Sequence, residues 1–346
     1  MSSLLPPVPP GTGPTTANVL IIGAGPAGIA AALTLARQQH SAILFGDGVY
    51  RNGRAEQMHL IPGLDGARPS NFSQAARSNV LQNYGEHISF RDVTVFSVQR
   101  VAGGFAAVDA AGVAYFGHKL ILASGVEDLP LPIDGYAACF GSVIFHCLLC
   151  KGYEQRGGAS AGVLAIDSFG RAPVALHMAR QASSLARTVT IYTNGAGALA
   201  AEIEAGFCRA GGSAGIMRVD NRVIRRFVFL GEQEQAQGGG IRLEFVDNSL
   251  PADEAFLAHA PKTRPRGPFV SQLGLETLPP GDNDGDIKVE LPYYQTSVSG
   301  VFAAGDNCSK MKSVAHAMLS GNVAGMGAAS QIVAEQLGQV YTAELM

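Results

Sequence analysis

The feature that most constrains this chain is a glycine triplet set between two unlike patterns. Residues 18–22 (NVLII) form a short apolar run that reads as a buried parallel strand, and residues 29–39 (IAAALTLARQQ) carry alanine-rich helical content. Between them lies Gly23-Ala24-Gly25-Pro26-Ala27-Gly28. Each glycine has a mechanical task. Gly23 permits the tight strand-to-helix turn, Gly25 lets backbone N–H groups approach a pyrophosphate, and Gly28 lets helix pack on strand. Pro26 fits a first helical turn, where its missing N–H costs nothing. The open N–H groups and the helix dipole then make an anion site, with Ala27 inside it. The second strand is expected at 41–45 (SAILF), and the acid for an adenosine ribose at Asp47, nineteen residues past Gly28. Gly46 occupies the place where that acid is first looked for.

Composition removes several classes. The 43 glycines of the 346 residues show no every-third-residue period and proline stops at 18, which excludes collagen. A hydrophobic share of 47% excludes global disorder, and a net charge of −3 gives no footprint for nucleic acid. Arg222, Arg225 and Arg226 form one local basic cluster, read as a solvated face. Five cysteines are too few for a secreted disulfide scaffold. The proline-rich start lacks the basic and apolar regions of a signal peptide and reads as a flexible arm over 1–17. No stretch reaches the roughly 18 apolar residues of a membrane span. The expectation is a soluble, cytoplasmic α/β protein.

Two further segments favour FAD over NAD. One is 120–133 (LILASGVEDLPLPI), an apolar strand ending in Ala123-Ser124-Gly125. The other is 296–309 (TSVSGVFAAGDNCS), whose strand delivers Gly305-Asp306 at its end. In two-dinucleotide flavoproteins such a Gly-Asp serves the ribityl chain, and the following helix, here 313–335, points its N-terminus and dipole at the flavin. Val314 and His316 fall in its first turn. Residues 145–154 (FHCLLCKGYE) hold Cys147 and Cys150. That spacing suits a small-ring disulfide at a helix start, where dipole and N–H groups lower a thiol pKa. Zinc would need two further ligands that only Cys139, His146 or Cys308 supply, so no metal site is expected. Two unpaired structural cysteines are the other alternative. Cys139, Cys208 and Cys308 read as packing.

In this order, glycine motif, Ala-Ser-Gly, Cys-x-x-Cys and Gly-Val-Phe-Ala-Ala-Gly-Asp, the chain resembles the low-molecular-weight thioredoxin reductase family over 18–340. The resemblance implies an α/β protein of two Rossmann-like domains: a discontinuous FAD domain, 18–125 and 251–346, and an inserted NADPH-type domain, 126–250, carrying the cysteines. It also implies a homodimer. In the insert the pattern breaks. The strand 161–166 is followed by Asp167-Ser168-Phe169-Gly170-Arg171-Ala172, which keeps one glycine of a phosphate turn, and 193–195 (TNG) lacks the basic cluster expected for a 2′-phosphate.

A dithiol flavoprotein without its nucleotide must take electrons elsewhere. The chain looks like the thioredoxin-reductase-like dithiol oxidases of natural-product biosynthesis, which share Phe-His-Cys-x-x-Cys-x-Gly-Tyr-Glu, here Phe145 to Glu154, and a Tyr50-Arg51-Asn52 loop with His59 downstream. That resemblance implies that Tyr50, Arg51 and His59 line FAD. It also implies that Cys147 meets a small-molecule dithiol, that Cys150 faces the flavin, and that O2 takes the electrons to give H2O2. Lys151 stands where the reductases have Asp, so a base is sought in His316, with His146 second. The rival expectations are an NADPH-dependent disulfide reductase and a flavin-binding redox sensor.

Overall fold

The computed structural model describes residues 15–209, 215–231, 240–279 and 285–339. The first elements are β1 (Thr16–Ile22), α1 (Pro26–Arg37), β2 (Ala42–Phe45), α2 (Pro69–Tyr84) and β3 (Ile88–Arg91). An antiparallel run follows: β4 (Val95–Val101), β5 (Gly104–Asp109) and β6 (Ala114–Leu122). β1, β2 and β3 pair in parallel, and β1 pairs in parallel with β6 on its other side. Apolar residues run almost unbroken through β1 and β2 because both sheet faces are covered. Val19, Ile21 and Leu44 face one core cluster with Leu35 of α1, while Leu20, Ile43 and Phe45 face another with Phe105 and Tyr115. The glycine triplet is thereby delivered at the carboxyl end of a central strand.

After β7 (Val126–Asp128) the chain builds a second unit. In order come α3 (Tyr136–Cys139), β8 (Ile144–Phe145), α4 (Leu148–Lys151), β9 (Gly158–Leu164), α5 (Ala172–Ser183), β10 (Ala186–Tyr192) and α6 (Gly197–Arg209). β11 (Met217–Asp220), β12 (Ile224–Phe229), β13 (Ile241–Phe245), β14 (Ala252–Glu254) and β15 (Leu257–Ala258) complete it. Its main sheet is ordered β11-β10-β9-β15-β8 and all its pairings are parallel; β12, β13 and β14 form an antiparallel layer. The chain then returns through β16 (Thr263–Pro265), helix Phe269–Leu273, β17 (Val289–Glu290), β18 (Gln295–Thr296), β19 (Val301–Ala303) and the long helix Val314–Gln336. The first sheet reads β17-β18-β19-β6-β1-β2-β3, so β19 lies beside β6 and brings its own carboxyl end next to that of β6.

The chain divides into two compact units, one holding the residues up to Glu127 and from Thr263 onward, the other Asp128–Lys262. The second boundary corrects the expected return at 251. β14 pairs with β13, and β15 inserts between β8 and β9, so 251–262 belong to the second unit. A two-residue strand carries too little pattern to be read from sequence. At the other end, β1 already begins at Thr16, inside the stretch 1–17 expected as an arm; residues 1–14 lie outside the described residues. The arginine cluster is bound locally. Arg225 and Arg226 share Glu244, and Arg222 grips Asp220. No helix among the described residues is long and apolar enough to cross a membrane.

Candidate functional site: a dinucleotide cradle and a redox disulfide

In the first unit the cradle is built where β1, β6 and β19 end. Gly23 has φ +113°, and a Cβ there would lie 2.2 Å from the Ala123 carbonyl oxygen, so only glycine lets the β1 turn close against the end of β6. Gly25 is the N-cap of α1, Pro26 its first residue, and no side chain caps the helix. Ala27 and Gly28 are buried behind that open turn. The first-turn N–H groups, bare of side-chain partners, are a fitting seat for a pyrophosphate. Gly125 follows in a left-handed conformation and its carbonyl accepts from the Arg266 N–H.

The loop after β2 shows why the acid is displaced. A Cβ on Gly46 would stand 2.5 Å from the Ala24 Cβ, so side chain is excluded where the phosphate turn packs on β2. Asp47, one residue on, is gripped by Arg266, with one N–O contact of 2.7 Å, and also accepts from the Val49 N–H. The expected ribose ligand is thus a partner of an arginine 219 residues away. Tyr50 is half-buried beside Gly25, and burial pushes its hydroxyl pKa upward. Arg51 reaches across to the other motif and donates to Asp306 Oδ2 at 3.0 Å, both side chains being mostly shielded. His59 lies 3.3 Å from Asp65 in its own loop.

Asp306 opens a 3-10 turn (Asp306–Cys308) directly after β19. The long helix begins at Val314, which is half-buried, with Ser313 as N-cap accepting from the His316 N–H at 3.3 Å. The His316 ring lies near the Tyr294 hydroxyl, at 3.5 Å. Glycine turn, Ala123, Gly125, Arg51, Asp306 and the start of the long helix are thus gathered at adjoining strand ends, as a dinucleotide requires. One uncapped helix N-terminus, the start of a second helix and a carboxylate at the ends of parallel strands fit FAD. Arg266 was missed by sequence reasoning, because nothing in a local window marks a lone basic residue that closes a turn.

In the second unit Cys147 and Cys150 form a disulfide, which removes the zinc and unpaired-cysteine alternatives. Cys147 is the N-cap of α4 and its Sγ accepts from the Cys150 N–H at 3.1 Å. A thiolate at Cys147 would be stabilised by that N–H. Between the cysteines Leu148 is buried and Leu149 is 67% exposed. Lys151 Nζ donates to the Gly141 carbonyl at 2.7 Å, and His146 stacks at a tilt on Phe140. Cys139 and Cys308 are buried free thiols whose pKa burial raises, to about 11 and about 12. The Cys208 side chain lies outside the described residues.

The turn after β9, where the second unit would seat a nucleotide, is filled from within. Asp167–Phe169 form a 3-10 turn with Asp167 at φ +50°. Phe169 is 6% exposed and its ring stands edge-on to His259, centroids 6.2 Å apart. His259 is fully buried at the end of β15, with Nδ1 2.6 Å from the Tyr136 hydroxyl. Arg171 is the N-cap of α5, in place of a small residue. After β10, Thr193 donates to Asn221, and Asn194 accepts from the Ile224 N–H. Polar side chains here close loops.

The sequence model of the family described as pyridine nucleotide-disulphide oxidoreductase matches residues 17–321. A thioredoxin reductase, tcpT, of Claviceps purpurea is 45% identical over 94% of this chain and 98% of its own length. The thioredoxin reductase aclD of Aspergillus oryzae is 37% identical over 92% and 97%. Among solved structures, an oxidoreductase from Agrobacterium tumefaciens superposes with a TM-score of 0.78 at 30% identity, covering 92% of this chain and 99% of that one. A crystal structure of HlmI gives a TM-score of 0.77 at 26% identity, over 93% and 94%.

Proposed function

Because the chain belongs to the pyridine nucleotide-disulphide oxidoreductase family, as a thioredoxin-reductase-type FAD-dependent oxidoreductase with the redox pair Cys147–Cys150, we propose that it oxidises a small-molecule dithiol to a disulfide with O2 as acceptor. The observation that carries this reading is the turn after β9. Phe169 and the buried His259 stand where a pyridine nucleotide would need open backbone. Electrons then enter through the cysteines. Exposed Leu149 between them favours a small apolar substrate.

In this reading a substrate thiolate attacks Cys147 Sγ, the S–S bond to Cys150 breaks, and Cys150 leaves as thiolate. The second substrate thiolate displaces Cys147. The substrate disulfide closes, and the protein holds two thiols carrying the electron pair. FAD held in the cradle of the first unit would supply the two-electron acceptor for that pair as the Cys147–Cys150 bond re-forms, with O2 as the final acceptor and H2O2 as the product. The Cys150 N–H on Cys147 Sγ stabilises the thiolate that the second step releases. His316, at the start of the long helix, is proposed to take the substrate protons. Gly23, Gly25, Pro26, Ala27 and Gly28 are proposed to seat the pyrophosphate. Tyr50, Arg51, His59, Ala123, Gly125, Asp306 and Val314 are proposed to line the rest of FAD, and the working form is proposed to be a homodimer.

The second reading, NADPH-dependent reduction of a disulfide, is favoured by the names the relatives carry. Anaerobic mixing separates the two. Bleaching of the bound flavin by a small dithiol, with none by NADPH, is the expected result. Rapid bleaching by NADPH would overturn the oxidase reading and establish the reductase.

A further inference from the structure

We infer that Lys312 is a positioning residue of the FAD site, acting through a buried ion pair with Asp286; the inference rests on reading FAD into the cradle of the first unit. The placement of this lysine is electrostatically unfavourable taken alone. It lies just before Ser313, the N-cap of the 23-residue helix Val314–Gln336, where the helix dipole is positive and a cation is disfavoured. Its side chain is only 13% exposed, so water does not offset that cost. The lysine is held there by a complete set of partners.

An ammonium has three donors. Lys312 Nζ donates to Asp286 Oδ2 at 2.9 Å, to the Asp306 carbonyl at 2.7 Å and to the Ser309 carbonyl at 2.8 Å. Asp286 is fully buried. The two carbonyls belong to the segment that joins the Asp306 carboxylate to the helix start. Bonding both of them to the residue before the N-cap closes 306–312 into a ring. The ring is anchored outside by two further bonds. Asn307 donates from its side chain to the Leu122 carbonyl at the end of β6, and accepts on its backbone from the Ile287 N–H. Asp286 therefore ties the strand side of the turn to the helix side through one cation.

The consequence is geometric. The Asp306 carboxylate is fixed from one side by Arg51. Its main chain is fixed from the other side by Lys312. The distance between that carboxylate and the first turn of the long helix is then set before any cofactor arrives. Those two features address the ribityl chain and the flavin ring, so Lys312 sets the span between two parts of one ligand without touching it.

Removing Lys312 alone would strip the buried Asp286 carboxylate of its ammonium partner, so the deciding variant is the double Lys312→Met/Asp286→Asn, which removes both charges. Apoproteins of this variant, of Lys312→Arg and of the wild type are titrated with FAD. Their circular dichroism and the midpoint potential of the bound flavin are followed in parallel. The expected result is a folded double variant that binds FAD about 10- to 100-fold more weakly, as loss of charge-assisted hydrogen bonds implies, with a lowered flavin potential. Lys312→Arg, which keeps the charge, should recover part of both. A double variant with wild-type affinity and potential would overturn the inference. Should the double variant not fold, Lys312→Arg carries the test, since it alters the three-way geometry but not the pair. A wild-type apoprotein that takes up no FAD would overturn the cofactor reading itself, a result distinct from equal binding by wild type and variant.

Discussion

Single residues decide the chemistry at Cys147 and Cys150. Replacing Cys150 by Ser is expected to reduce dithiol-dependent O2 uptake to background while leaving bound flavin in place; retained turnover, followed with an oxygen electrode, would remove Cys150 from the electron path. Gly46 makes a different point. Restoring the acid as Gly46→Asp forces a side chain against Ala24. A cost of about 1–3 kcal/mol is expected from overpacking, read as a lower urea midpoint and not as tighter FAD binding. The glycine triplet, the Cys-x-x-Cys and Gly305-Asp306 were legible because each is a local pattern with a mechanical reason. The Arg266–Asp47, Arg51–Asp306 and Lys312–Asp286 pairs were not. Each joins residues far apart in sequence, and only the strand order brings them together.

At the scale of elements, the turn between β9 and α5 separates a shape from its usual ligand. The strand, turn and helix are retained, yet Phe169 packs in the core cluster with Ala175, Ala179 and Phe256. Phe169→Ala should cost about 3–5 kcal/mol as a buried aromatic truncation, measured by urea unfolding. Opening that space is expected to give no NADPH-driven flavin reduction, because Arg171 and 193–195 still lack the phosphate contacts. Reduction by NADPH in this variant would mean that the ring alone plugs a working site. The sequence showed the loss of glycines here. It did not show what fills the gap, since His259 arrives from β15, a strand of two residues.

For the whole molecule, His259 sets an acid limit. Burial lowers its pKa from 6.5 to about 4. The unfolded chain therefore takes the proton first as pH falls. The stability this residue contributes is complete above about pH 6.5 and is lost between there and pH 4, on the order of 3 kcal/mol. Glu254, whose pKa burial raises, acts in the opposite sense. Its carboxyl favours the folded state at low pH and loses that contribution as pH rises, so the His259 effect must be isolated. A His259→Leu/Tyr136→Phe protein should gain less in urea midpoint than the wild type as pH rises from 4 to 6.5, with the opposing Glu254 contribution left in both; an unchanged slope would assign the acid limit elsewhere. The order of the chain has a last consequence, in time. The second unit is continuous from Asp128 to Lys262, whereas β19 and the long helix of the first unit come only after it in the chain. On the ribosome the disulfide-bearing unit can therefore close while the cradle is still half made. Thiol chemistry can then be present on a nascent chain before there is a place for the cofactor that would accept its electrons.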